Sequence, residues 1–174
     1  MSNEYKNWIE DMRNSEWDSE DHNRYLYTFY KFIRVESHTD DFENPHTQMV
    51  NMPIGWRKSF GMDFLNEVAY VLNKKVVANN EEKYSFRITC IKEKFGELRV
   101  YTNLHFKELD NVFEKYRKLS RITCAHCGAP ATKITTDWIT PFCDSCIPKW
   151  KNGKEYDNVN IEEYWKKWDS LCQP

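Results

Sequence analysis

The chain has 174 residues, 16% of them aromatic, with only five Gly and six Pro and a formal net charge of −2. So many rings exclude a disordered chain, and the length suits one ordinary core with at most a small satellite. No apolar run reaches the roughly 18–20 residues needed to span a bilayer, and MSNEYKNWIEDMRNSEWDSED lacks a secretory signal's basic start and apolar centre, so a cytosolic chain with no membrane association is expected.

Residues 1–50 read as an acidic, aromatic-rich extension of helical character, with Trp8 and Trp17 in its first part. Residues 1–46 carry five Lys/Arg against eleven Asp/Glu, while residues 47–174 carry twenty against sixteen. An acidic arm on a mildly basic body either shields a binding face or keeps a rigid domain soluble. From His22 to Glu36, Leu26, Phe29, Tyr30 and Ile33 fall at three- and four-residue steps, the stripe of an amphipathic helix. Residues 37–55, with two prolines and many turn formers, read as a long surface connection.

Residues 51–120 are expected to form an α+β core. A second helix covers Arg57 to Lys74, with Phe60, Phe64, Val68 and Val71 on one face, although Gly61 weakens its start. The period then changes to two. Tyr84, Phe86, Ile88 and Cys90 alternate with Ser85, Arg87 and Thr89, which places Cys90 on the core face of a half-buried strand. Phe95-Gly96 marks a turn less specific than Asn-Gly, and Leu98, Val100 and Thr102 alternate on the return, closing a β-hairpin. Lys92, Glu93, Lys94, Glu97 and Arg99 form a dense charged set on it. One reading is a solvated face with cross-strand ion pairs, each worth under about 1 kcal/mol. The other is a patch for phosphate or carboxylate centred on Lys94 and Arg99, with Phe95 exposed at the tip. Helical spacing returns with Phe106, Leu109, Phe113 and Tyr116.

Residues 121–150 carry two CxxC pairs, Cys124/Cys127 and Cys143/Cys146, with fifteen residues between them. Two residues between thiolates make a tight knuckle that turns both sulfurs to one ion, and Gly128 suits the turn after the first pair. Two knuckles complete a tetrahedron of sulfur, so a zinc ribbon holding one structural Zn²⁺ per chain is expected. A dithiol redox centre is the rival, but such a CxxC stands alone at the head of a helix. His126 could displace one cysteine as ligand, though a side chain facing away is the simpler reading. Cys172, near the end, carries no mark of reactivity. In residues 151–174, Asn160 and Glu163 are placed for a capping box, and Ile161, Tyr164, Trp165, Trp168 and Leu171 form the stripe of a C-terminal aromatic helix. Trp165 and Trp168 either pack on the protein's own core or anchor a partner. The expected fold class is α+β, a small antiparallel sheet with flanking helices and a C-terminal four-cysteine zinc ribbon.

The succession IKEKFGELRVY at 91–101, a helix, CAHCGAP and WITPFCDSC is similar to a family of uncharacterised bacterial and phage proteins that pair a KEKFGxLR hairpin with a zinc-ribbon-like segment. Gly55-Trp56 before a helix resembles that family's first block, and the resemblance covers roughly residues 54–147. It implies a phage or mobile-element origin, hence the host cytoplasm, and no established activity. The first fifty residues and the tail after 147 depart from it.

The five histidines, at 22, 38, 46, 105 and 126, include no metal-pair spacing, and there is no GxSxG, HExxH or phosphate-binding glycine loop. No histidine follows Cys127, so a nuclease with paired knuckles lacks its base, and a non-enzyme is expected. Residues 84–123 hold nine basic against five acidic side chains, which keeps a nucleic-acid-binding zinc ribbon as the alternative. The preferred expectation is a small zinc-binding protein that binds and modulates a host protein. Its candidate patch is Lys92, Lys94, Phe95, Arg99, Trp165 and Trp168, because aromatic and Arg anchors dominate protein interfaces.

Overall fold

The computed structural model describes residues 16–17, 19–35, 46–74, 85–149 and 153–171. Trp8 and most of the acidic arm, His38, Tyr84 and Cys172 lie outside these residues. Helix α1 (Glu20–Phe29) starts where Ser19 accepts the His22 backbone N–H at 3.2 Å, with Glu20 and Asp21 favoured by the helix dipole in the first turn. It buries Tyr25 and Leu26, and Tyr30 and Ile33 continue that face beyond its end.

The stretch expected as a surface connection instead goes inward where it is described. Val35 N–H bonds to the His46 carbonyl, and Thr47, Met49 and Met52 are buried. Among the described residues from 46 to 53 the only regular element is a single 3₁₀ turn, Gln48–Asn51, too short to set up a periodic apolar pattern in the sequence. A helical turn at Ile54–Trp56 runs through a π-helical turn, Arg57–Gly61, into α2 (Met62–Lys74). Gly61 serves packing: a Cβ there would lie 2.9 Å from Cη2 of Trp17, so the indole can rest against the helix.

Strands β1 (Ile88–Lys94) and β2 (Glu97–Thr102) form the hairpin, with Lys94 opposite Glu97 and Lys92 opposite Arg99. Phe95 and Gly96 both take positive φ, 56° and 77°, as a two-residue hairpin turn of this hand requires. The register slips between Ile88 and Cys90, which pair with Thr102 and Tyr101. The additional residue, Thr89, reverses which side chains face inward. Ile88 and Ile91 are therefore buried while Cys90, expected in the core, is only half-buried.

Helix α3 (Lys107–Arg121) lays Leu109, Val112 and Tyr116 across α2 and β2. Tyr116 stands edge-on to Phe64 at 5.3 Å between ring centroids. One cluster joins these residues with Trp56, Ile88, Leu98 and the Tyr25, Leu26, Ile33 and Met49 of the N-terminal region. A second sheet has β3 (Lys133–Thr135) between β4 (Pro141–Phe142) and β5 (Asn158–Asn160), all antiparallel. Asn160 Oδ1 accepts the Glu162 and Glu163 N–H groups at 2.9 and 3.2 Å, starting α4 (Ile161–Leu171). Ala131, Ile134, Ile161 and Trp165 make a satellite cluster under this sheet. The fold is α+β. Among the described residues no helix is long and apolar enough to cross a membrane.

Candidate metal centre

The knuckle at Cys124–Cys127 is closed by Gly128 N–H on the Cys124 carbonyl at 3.0 Å and by Cys124 N–H on the Ala129 carbonyl at 2.8 Å. Gly128 has φ 84°, which a side chain would strain. The second knuckle turns on Cys146 N–H to the Cys143 carbonyl at 3.0 Å, and Ala125 N–H reaches the Pro141 carbonyl to hold the two together. The sulfurs of Cys124, Cys127, Cys143 and Cys146 consequently lie within 4.8 Å of one another. An ion with bonds of about 2.3 Å to four sulfurs in a tetrahedron sets them roughly 3.8 Å apart. The Cys127–Cys143 sulfur separation is 3.6 Å.

The four thiols are free and spaced for one metal ion. His126 is exposed and outside the cluster. Burial pushes the Cys124 thiol up, but the backbone N–H groups of Cys127, Cys143 and His126 outweigh it and bring it to about 7. Burial raises Cys143 and Cys146. The backbone thus favours negative charge at the innermost sulfur.

Gly55 and Trp56 join the centre to the main core. Gly55 N–H bonds to the Ala125 carbonyl at 2.9 Å, and a Cβ on Gly55 would lie 2.2 Å from the Cys124 carbonyl oxygen. The buried Trp56 ring donates from Nε1 to the Thr123 carbonyl at 2.9 Å. Only a residue without a side chain lets the helix start reach the back of the knuckle.

The hairpin charges divide. Glu97 is buried, not solvated: its Oε1 receives Arg117 Nη1 and Arg121 Nε, and its Oε2 meets Arg99 Nη2, each at 2.5 Å. Arg117 also makes two bonds of 2.7 Å to Glu114, whose carboxyl it holds down at about 2. Arg121 also reaches Asp169 on α4 at 2.9 Å and lies 4.4 Å over the Trp165 ring. The carboxylate that Arg99 binds is therefore internal. Lys92 and Lys94 are exposed, their ammonium groups 5.2 Å from the Tyr101 ring and 5.4 Å from the Phe95 ring.

Trp165 belongs to the protein's own core, 7% exposed, with Nε1 donating to the Arg121 carbonyl at 3.1 Å. Trp168 is half-buried, stacked on Tyr164 at 6.0 Å and 6.5 Å from Phe95. The structure thus brings Lys92, Lys94, Phe95 and Trp168 together, buries Trp165, and leaves Arg99 half-exposed but paired with Glu97. The exposed Trp138 on the loop between β3 and β4 joins that group, and nothing in its spacing singles it out. Comparison with protein-family models, with curated proteins and with solved structures finds no match for this chain.

Proposed function

We propose that the protein is a small zinc-stabilised interaction module that binds and modulates another protein. Four thiolates fill a zinc coordination sphere and leave no open position for water or substrate, so the ion holds the fold. The observation that carries the reading is a chain of exposed apolar side chains on one face: Trp138, Phe95, Val159 and Leu171, linked through Trp168. Contiguous exposed apolar surface on a well-packed protein marks a site of association. The resemblance to bacterial and phage proteins makes a host protein the proposed target.

Nucleic acid is the weaker reading because five of the nine basic side chains in residues 84–123, Arg99, Arg117, Arg121, Lys115 and Lys118, are ion-paired within the chain. Phosphate binding rests on several cations free to replace counterions. Capture of a partner from host lysate should survive nuclease, depend weakly on salt and be lost in Trp168→Ala. Tight gel-shift binding to mixed DNA and RNA at physiological salt, abolished by Lys92→Glu with Lys94→Glu, both exposed and outside the Glu97 ion pairs, would overturn the proposal.

A further inference from the structure

The four thiols of the metal centre differ in reach. Cys124 is fully buried, Cys143 and Cys146 are half-buried, and Cys127 is exposed. An oxidant arriving from solvent therefore meets Cys127 first, because oxidation of a thiolate follows its access. Cys127 belongs to one knuckle, and its Sγ lies 3.6 Å from Cys143 Sγ of the other. A disulfide bond measures about 2.05 Å, so an approach of roughly 1.5 Å separates this contact from a covalent link across the centre.

The two knuckles are held unequally. The first is fixed from behind: Gly55 N–H bonds to the Ala125 carbonyl, Trp56 Nε1 bonds to the Thr123 carbonyl, and the Cys124 and Gly128 N–H groups close the turn. Within the turn of the second, the one described backbone bond is Cys146 N–H to the Cys143 carbonyl, and the tip at Asp144 and Ser145 is exposed. The approach therefore falls to the second knuckle, which carries Cys143 towards a first knuckle that stays in place. Cys124 is fastened to the main core by the same bonds and does not compete for that role.

We propose that Cys127 is a site of oxidation by hydrogen peroxide and that Cys143 resolves it, so that a disulfide across the knuckles forms as the metal is released. The proposal rests on the reading of a zinc-stabilised fold and adds the regulation of that centre.

In the first step a peroxide oxygen bonds to Cys127 Sγ as the O–O bond breaks, and the departing hydroxide takes up a proton and leaves as water. The sulfur is oxidised by two electrons to a sulfenic acid, and the peroxide is reduced. The Cys143 thiolate then attacks that sulfur. The S–S bond forms, the S–O bond breaks, and the hydroxide released is protonated to a second water. Two thiolates, one peroxide and two protons thus give one disulfide and two waters. Only Cys124 and Cys146 then remain as thiolates, half of a tetrahedral set, too few to hold the ion. Ala131 and Ile134 lie between the two pairs and pack with Trp165, so loss of the metal also loosens the seat of α4.

The test treats the zinc-loaded protein with hydrogen peroxide, follows released metal with a chromogenic chelator and reads the cysteines by mass spectrometry. Trypsin cuts after Lys133 and Lys149, which leaves Cys124 and Cys127 on one peptide and Cys143 and Cys146 on another. Without reduction the two peptides should be joined in step with metal release, and fragmentation should place the bond at Cys127 and Cys143. Dithiothreitol followed by zinc should restore the metal and close residues 120–150 to limited proteolysis again. Cys127→His keeps a ligand and removes the exposed sulfur, so its release should be at least about tenfold slower. If that variant does not load zinc, the peptide map of the unsubstituted protein decides alone. Metal retained in peroxide, disulfides confined within each peptide, or a bond at Cys124 in place of Cys127 would each overturn the inference and leave the structural zinc standing. A chain that takes up no zinc would overturn both.

Discussion

Replacing Glu97 by Gln removes one buried charge and keeps the shape of the side chain. The Glu97 side chain is 3% exposed, and its partners Arg121 and Arg117 are 14% and 25% exposed, so solvent screens these pairs weakly. Arg99, at 37%, is wetter and adds less. Removing one partner of a buried ion pair costs about 3–5 kcal/mol because the remaining charge stays desolvated. Here Arg117 keeps Glu114 and Arg121 keeps Asp169, and Gln still offers one acceptor oxygen, so about 2–3 kcal/mol is expected. For a chain of this size that lowers the melting temperature by roughly 5–10 °C. Glu114→Gln is the control. It removes a carboxylate from the same Arg117, but one 43% exposed, and should cost under about 1 kcal/mol. Thermal unfolding of the zinc-loaded protein, followed by circular dichroism, compares the two. Equal effects, or a loss below about 1 kcal/mol for Glu97→Gln, would refute the claim that burial makes this carboxylate a clamp between hairpin, α3 and α4.

Purified protein should carry about one zinc per chain by elemental analysis, and Cys143→Ser should lower that content and open residues 120–150 to limited proteolysis. Full cleavage resistance without metal would refute the structural role. Metal affinity should fall as the pH is lowered through neutrality, since protons compete for thiolates; if uptake displaces two protons, the fall is about a hundredfold per pH unit in a chelator competition. A flat profile would mean that thiolates are not the ligands. Gly55→Ala should destabilise by about 3 kcal/mol or more and loosen the metal, because its Cβ would press on the Cys124 carbonyl at 2.2 Å and on the Ala125 and Gly128 backbone at 2.7 Å. Gly153→Ala, with φ 75° and no neighbour within 4 Å, should cost only about 1 kcal/mol.

The four-cysteine cluster was legible in the sequence because a knuckle is a local object. Two residues between thiolates, a glycine after the first pair and fifteen residues between pairs are constraints on chain length, and the four sulfurs do converge. Helix α3, its apolar stripe and the Asn160 cap were legible for the same reason, since each rests on neighbours within one or two turns. Cys90 escaped because one inserted residue, Thr89, reverses the faces of a strand without changing its composition. Glu97 escaped because charge density along a hairpin looks alike whether water or protein answers it. Two of the arginines that decide the matter stand twenty and twenty-four residues away on α3. The fates of Trp165, Trp168 and Trp138 were likewise left to tertiary structure. A helical stripe says which side chains share a face, but only the docking of α4 on the ribbon sheet, fixed by Ile134 and Arg121, decides which ring is covered and which meets solvent.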